Sequence, residues 1–315
     1  MSRASTSLAA AFGLLADRAF GEPPAAVHPV ALFGRGMADL ERRFRNTGER
    51  PAGDSWRDGR TAGVAYAAAG AGAGWAAGAA LGRSVPAGAA ATWLVVAGRA
   101  LGEEARSIGE RLTADDLDGA RRQLPALVGR DPESLDAKGI ARAVVESVAE
   151  NTVDAVVAPA CWAAVGGAAG AGFYRAVNTL DAMVGHRNER YLRFGWAAAR
   201  LDDAANWVPA RLTGLLVAAV RRGQGREILD AVVHPPPHPS PNAGVAEAAF
   251  AAALGLRLGG DTVYAGKVDP RPAFGSGRPP EPGDINEAVR LSRDVTLALA
   301  ALLAAPAAFR TLLRP

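Results

Sequence analysis

The stretch ARLDDAANWVPAR, residues 199–211, sets two adjacent carboxylates, an amide and two arginines close together in a chain that is elsewhere crowded with Ala, Gly, Val and Leu. On a helix Asp202 and Asn206 share a face, Asp203 points about 100° away, and Arg200 and Arg211 stand toward either end. Oxygen ligands of this kind suit a hard divalent cation, and arginines suit phosphates. The same residues also suit a solvated helix start, with aspartates near the positive end of the macrodipole. Their surroundings decide between the two.

A second polar stretch, DAKGIARAVVESVAENTVDA, puts Lys138, Arg142, Glu146, Glu150 and Asp154 at intervals of four, one slowly curling stripe on a continuous helix. Cations lead and anions follow. That order opposes the macrodipole and uses the weaker pairing orientation, so stability alone is a poor reason for it. Pro159 is expected to kink or end the helix just beyond, leaving Glu146, Glu150, Asn151 and Asp154 at the start of an apolar run. Carboxylates at a membrane boundary are costly unless something binds them; a divalent metal with bound phosphates would, and a solvated helix face is the alternative.

Two further segments carry polar side chains. NTLDAMVGHRNERYLRFG, residues 178–195, opens on Asn178, a helix cap with Asp181 at the third position in its simplest reading, and continues through His186, Arg187, Asn188, Glu189 and Arg190. HPPPHPSPNAG, residues 234–244, contains His238, Ser240 and Asn242, and its prolines predict a rigid loop with neither helix nor strand. With His28 in VHPVALFG, all four histidines are expected in polar loops, at spacings that match no common zinc pattern. Among 35 basic residues only Lys138 and Lys267 are lysine, and a compact ammonium serves well as a phosphate contact.

The elements that must position these residues are read from the apolar runs between them. TAGVAYAAAGAGAGWAAGAALG and AVVAPACWAAVGGAAGAGFY each hold about 20 residues, enough to cross a bilayer. Shorter runs precede Arg99 and follow Asp294, and weaker ones lie near the N-terminus and after Arg211. Gly70, Gly74, Gly78 and Gly82 recur every fourth residue, as do Gly166 and Gly170; in water such glycines cost about 1 kcal/mol each relative to Ala, whereas in lipid they allow close helix packing. The expected fold is therefore all-α, a polytopic membrane helical bundle forming a single membrane-integral domain over residues 1–315. Spans are expected near 8–20, 62–82, 85–101, 155–174 and 295–312, with polar catalytic segments at 28–34, 138–154, 178–211 and 234–267. Asp17 and GEPP follow the first apolar run where a signal peptide would have its cleavage site, so none is expected. The formal charge of +3, with acids interspersed and no basic block, argues against nucleic acid. Cys161, the sole cysteine, excludes an internal disulfide and reads as a buried structural thiol. There is no G-x-x-x-x-G-K-[ST] loop, and no strand is expected to carry one.

DRAFGEPPAAVHPVALFG, ARAVVESVAENTVDAVVAP, NTLDAMVGHRNERYLRFGWAAARLDDAANWVPARL and HPSPNAG, in this order, resemble the adenosylcobinamide-phosphate synthase family of cobalamin biosynthesis, from about Asp17 to the turn at Tyr264. The resemblance implies a membrane-bound ligase that joins the propionate carboxylate of adenosylcobyric acid to the amine of aminopropanol or aminopropanol phosphate, consuming ATP with Mg²⁺. It implies a multi-pass protein of the cell (inner or plasma) membrane, its motifs facing the cytoplasm where ATP is, with other membrane cobalamin-assembly enzymes as expected associates. The catalytic candidates are then Glu146, Glu150, Asp154, Asp181, Asp202 and Asp203, with Glu150, Asp154, Asp202 and Asp203 as Mg²⁺ ligands. Asn151, Asn178 and Asn206 supply neutral oxygens. Lys138, Arg187, Arg190, Arg200, Arg211 and Lys267 grip phosphates, while His28, Asn188, His238, Ser240 and Asn242 contribute substrate contacts. The family usually carries Tyr where His186 stands, so no catalytic base is assigned there. Two rivals remain: a Mg²⁺-dependent intramembrane transferase acting on a diphosphate-containing substrate, which needs no nucleotide, and a transporter, whose polar residues would lie within the spans.

Overall fold

The structure, a computed structural model, describes residues 2–23, 28–45, 59–129, 132–235, 237–260, 262–264, 267–269 and 272–312. About 80% of it is helical. In chain order the helices are α1 (Arg3–Phe20), α2 (Pro29–Arg45), α3 (Arg60–Ala80), α4 (Val85–Val95), α5 (Gly98–Thr113), α6 (Leu117–Gln123), α7 (Ala137–Thr152), α8 (Ala158–Val184), α9 (Trp196–Val220), α10 (Gly225–Val233), α11 (Ala243–Leu254) and α12 (Pro282–Leu312). The short strands β1 (Leu258–Gly259), β2 (Thr262–Tyr264), β3 (Lys267–Asp269) and β4 (Ala273–Phe274) correct the expectation of none. They form two antiparallel pairs, β1 with β4 and β2 with β3. Ala265 and Gly266, in the turn after Tyr264, lie outside the described residues.

Three helical stretches among the described residues are long and apolar enough to cross a membrane: Val85–Thr113, Ala137–Val184 and Pro282–Phe309. They cover or overlap the runs expected near 85–101, 155–174 and 295–312. The runs near 8–20 and 62–82 form α1 and α3, which fall outside that set. Ala and Gly supply most of α3, and they add length without much hydropathy.

The internal contacts group into two compact units, each discontinuous in sequence: Met1–Val96 with Ala158–Asn206 and Ala300–Pro315, and Ala97–Val157 with Trp207–Leu299. In the first unit α3 lies against α8 along its glycines. A Cβ at Gly74 would collide with the Gly172 carbonyl and Ala176, and one at Gly78 with the Ala168 carbonyl. Gly70 receives Leu180 and Met37, while Gly166 faces open space. Tyr66, Leu180, Val184 and Phe194 close one core cluster there, and Ala10, Ala91, Ala163 and Ala171 another. In the second unit Gly102 and Gly109 of α5 admit Val289 and Ile285 of α12, and Ile140, Val144, Val148, Phe250 and Leu291 are fully buried.

Two prolines shape the helices that carry the motifs. Pro159 does not end its helix, which runs on to Val184. The winding loosens before it, into a π-turn at Val153–Val157, and breaks after it at Gly167, whose φ of 62° and ψ of −146° suit glycine. Pro159 has no N–H to offer the Ala155 carbonyl, which accepts from the Ala97 N–H at 2.9 Å instead. Pro209 repeats the arrangement inside α9: the Ala205 carbonyl it cannot serve accepts from the Trp162 indole at 3.1 Å. From Pro29 on, VHPVALFG is helical rather than a loop, since α2 begins at Pro29, a residue suited to a first helical position; Val27 lies outside the described residues.

Candidate functional site

In the first unit α8 and α9 build a polar cluster. The Asp202 carboxylate, 9% exposed, accepts from Asn206 Nδ2 at 3.0 Å on one oxygen and from Asn178 Nδ2 at 3.4 Å on the other. Asn206 accepts in turn from the hydroxyl of fully buried Tyr174 at 2.8 Å. The i,i+4 face expected for Asp202 and Asn206 is thus used as read. Asp203 turns away and takes Arg200 at 3.1 Å, with the Arg187 charge also acting on it. Asn178, read as a cap, lies inside α8 and serves Asp202 instead.

Burial, then the neighbouring Asp181 charge, pushes Asp202 up to about 7, against the pull of its two amide donors. Asp203 is also raised by burial, opposed by Arg200 and Arg187. The Asp202 carboxylate, with the Asp181 charge near it, is a poorly solvated concentration of negative charge that a cation would relieve. Among the described residues no three His, Cys, Asp or Glu side chains converge as a metal cage. Mg²⁺ needs no such cage, because it commonly takes one or two carboxylates and completes its octahedron with water and phosphate oxygens.

The loop between α8 and α9 places three more expected residues. Arg190 donates to the buried Glu41 carboxylate at 3.0 Å, as does the Tyr191 hydroxyl, and the Arg190 guanidinium lies 4.8 Å over the Tyr191 ring. Asn188 accepts from the Tyr191 N–H at 3.0 Å, a local turn bond. Arg187 enters through its charge on Asp203. His28 directly precedes α2, its carbonyl accepting from the Leu32 N–H at 3.1 Å, and is buried.

The acidic stripe belongs to the second unit and does not behave as one surface. Lys138 is exposed, 3.9 Å from Glu281. Glu146 is buried and accepts from the Gly259 N–H at 2.7 Å, while Arg142, one turn earlier, donates to the Gly259 carbonyl at 2.8 Å. Together they clasp strand β1 by its backbone. Glu150 is exposed, Asp154 is half-buried in the π-turn, and Asn151 donates to the Ser147 carbonyl at 2.9 Å.

The proline-rich loop is organised by its own side chains. His238 Nδ1 accepts from the Ser240 N–H at 3.0 Å, and Ser240 Oγ accepts from the N–H groups of Asn242 and Ala243 where α11 starts. The helix therefore begins inside HPPPHPSPNAG, which was expected to be loop throughout. Arg211 donates to Asn242 Oδ1 at 3.1 Å and stacks 4.5 Å over Trp207. Nε2 of His238 faces the buried Glu247 at 3.7 Å. The side chain of Lys267 lies outside the described residues. Glu41, Tyr174 and Glu247 escaped the reading of the sequence. Glu247 alone had a signal there, as the one charge in the apolar helix AGVAEAAFAAAL.

The family model described as CobD/Cbib protein matches residues 10–292. The chain is 49% identical over 308 residues to the cobalamin biosynthesis protein CobD of Mycobacterium tuberculosis strain H37Rv, covering 95% of this chain and 94% of that one. To the proteins of the same name from Geobacter metallireducens and Pelobacter propionicus it is 40% identical over 284 residues, covering 83% and 84%, and 38% identical over 326 residues, covering 95% and 94%. No solved structure gives a significant match. A match across most of its length makes the chain a member of the CobD/Cbib protein family.

Proposed function

We propose that the chain acts in cobalamin biosynthesis as an ATP-dependent acid–amine ligase, joining the propionate carboxylate of adenosylcobyric acid to aminopropanol or aminopropanol phosphate. The names of its relatives support the pathway. One observation carries the reaction class: the buried Asp202 carboxylate, held between two amides with Asp181 nearby and arginines beside Asp203. A carboxylate and an amine do not condense at neutral pH, because the amine takes the proton and the carboxylate oxygen is a poor leaving group. MgATP supplies the phosphoryl group that turns that oxygen into a leaving group, with the cation spreading the phosphate charge.

Within this reading the residues divide by chemistry. Asp202, oriented by Asn178 and Asn206, offers carboxylate oxygens to the cation, with Asp181 and Asp203 beside it. Arg187 and Arg200 neutralise phosphate oxygens. Arg190 in the first unit, and within the second Glu150, Asp154 and Asn151 with Lys138, Arg211, His238, Ser240, Asn242 and Lys267, are taken each in its own unit as the further candidates for contacting nucleotide or substrate. Glu146 acts by holding β1 in place. An ATP-consuming site belongs on the cytoplasmic side of the cell membrane.

The test is turnover by the purified protein with adenosylcobyric acid, ATP and aminopropanol phosphate. Amide product should require Mg²⁺, appear in step with ADP and phosphate, and carry ¹⁸O from the substrate carboxylate into inorganic phosphate. Label in AMP would replace this route by adenylation. Asp202→Asn, Asp203→Asn, Glu150→Gln and Asp154→Asn should each slow turnover at least about tenfold, about 1.4 kcal/mol of barrier. Product without nucleotide consumption would overturn the ligase reading in favour of a transferase.

A further inference from the structure

Two buried N–H donors in the first unit have no acceptor. His28 is 7% exposed, and its Nδ1 accepts from the Val30 N–H at 3.3 Å, so the neutral ring carries its proton on Nε2. That Nε2 is buried without a hydrogen-bond partner, and so is Nε of Arg175, whose charge acts on the same imidazole. Burial, more than that charge, holds the His28 pKa below its ordinary value against the pull of Glu22, so the ring is neutral. Buried donors are almost always satisfied in folded proteins, and two unmet ones on side chains whose charges act on one another point to an acceptor that arrives from outside the chain.

A cavity of about 260 Å³ has Arg175 in its wall, together with Pro29, Phe33, Ala77, Leu94 and Thr179; Pro29 and Val30, the two residues after His28, reach that wall while His28 itself does not. Arg175 is the one charge in that lining, and the Thr179 hydroxyl is already committed to the Arg175 carbonyl at 2.7 Å. For comparison, an apolar cavity of about 150 Å³ holds benzene. The walls come from α2, α3, α4 and α8; α4 and α8 belong to stretches able to cross a membrane, and Leu81, at the C-terminal end of α3, is half exposed.

We propose that this cavity binds one phospholipid, its acyl chain between the helices and its phosphodiester accepting from Arg175. Charge selects the diester. Arg175 is the one charge of the lining, and a single guanidinium balances a single negative charge, whereas the dianion of a phosphate monoester or of ATP would leave excess charge in an apolar wall. A free anion would also leave the cavity unfilled. The site is distinct from the Asp202 cluster and does not depend on the reaction assigned to it.

Native mass spectrometry of the full-length protein in detergent, with dioleoyl phosphatidylglycerol as probe, tests the assignment. One lipid per chain should survive activation that strips the micelle, and Arg175→Gln and Ala77→Leu should each cut its retention at least about fivefold. Ala77→Leu keeps the cation and fills the cavity, so it decides the matter if Arg175→Gln folds poorly. Equal retention in all three proteins would overturn the proposal. Displacement of the lipid by millimolar inorganic phosphate would overturn it too, leaving a small-anion site.

Discussion

Asp202 is a carboxylate whose protonation reports on whatever else enters its site. Its pKa in the folded protein, about 7, lies above the ordinary aspartate value because burial and Asp181 both disfavour the charge. The raised value sets the sign of the linkage: the stability this group contributes is fully present below about pH 4 and lost as pH climbs through about 7. With chelator present, thermal unfolding of the wild type should therefore show a midpoint that falls across that window, less steeply in Asp202→Asn. Equal slopes would place the titration elsewhere. At this scale the sequence was legible where partners lie on one helix, as Asp202 and Asn206 do, because helical periodicity alone fixes which side chains meet. It was not legible for Asn178 with Asp202, or for Glu41 with Arg190, whose partners lie 24 and 149 residues apart and meet only through tertiary packing.

At the scale of the element, the α7–α8 stretch shows how a polar stripe can be read correctly and still mislead. Intervals of four made Lys138 to Asp154 one face, but the π-turn at Val153–Val157 takes Asp154 out of the α-helical register, and β1 claims Glu146 through the Gly259 N–H. Neither the extra residue in that turn nor a two-residue strand leaves a periodic signal. Pro159 did announce a disturbance; which carbonyl would be rescued, and by what, depended on Ala97, far away in the chain. The break at Gly167 is open to direct test. Its φ of 62° with ψ of −146° is a region that side chains penalise by about 1–3 kcal/mol, so Gly167→Ala should lower the thermal midpoint by several degrees. Gly166→Ala, whose Cβ would meet open space, should leave it unchanged or slightly raised. Equal behaviour of the two variants would show that backbone strain at Gly167 is not what shapes the helix.

For the whole molecule, the all-helical fold class was visible in the apolar runs, because length and hydropathy are properties of sequence alone. The division into two units, each assembled from separated segments, was not, because it depends on which runs pack together. Three helical stretches able to cross a bilayer make a direct expectation: alkaline carbonate should leave the full-length chain in the membrane pellet. Release of folded protein into the supernatant would mean that the Ala-rich helices form a core in water. The seam between α3 and α8 has a further consequence, for inheritance rather than for packing. At Gly74, Gly78 and Gly172 every replacement adds a carbon where a neighbouring backbone already lies, so these codons have no conservative neighbour and missense change there is graded only from bad to worse. Gly72, two residues away on the same helix and facing open space, carries no such burden, and drift in the gene can pass through it freely.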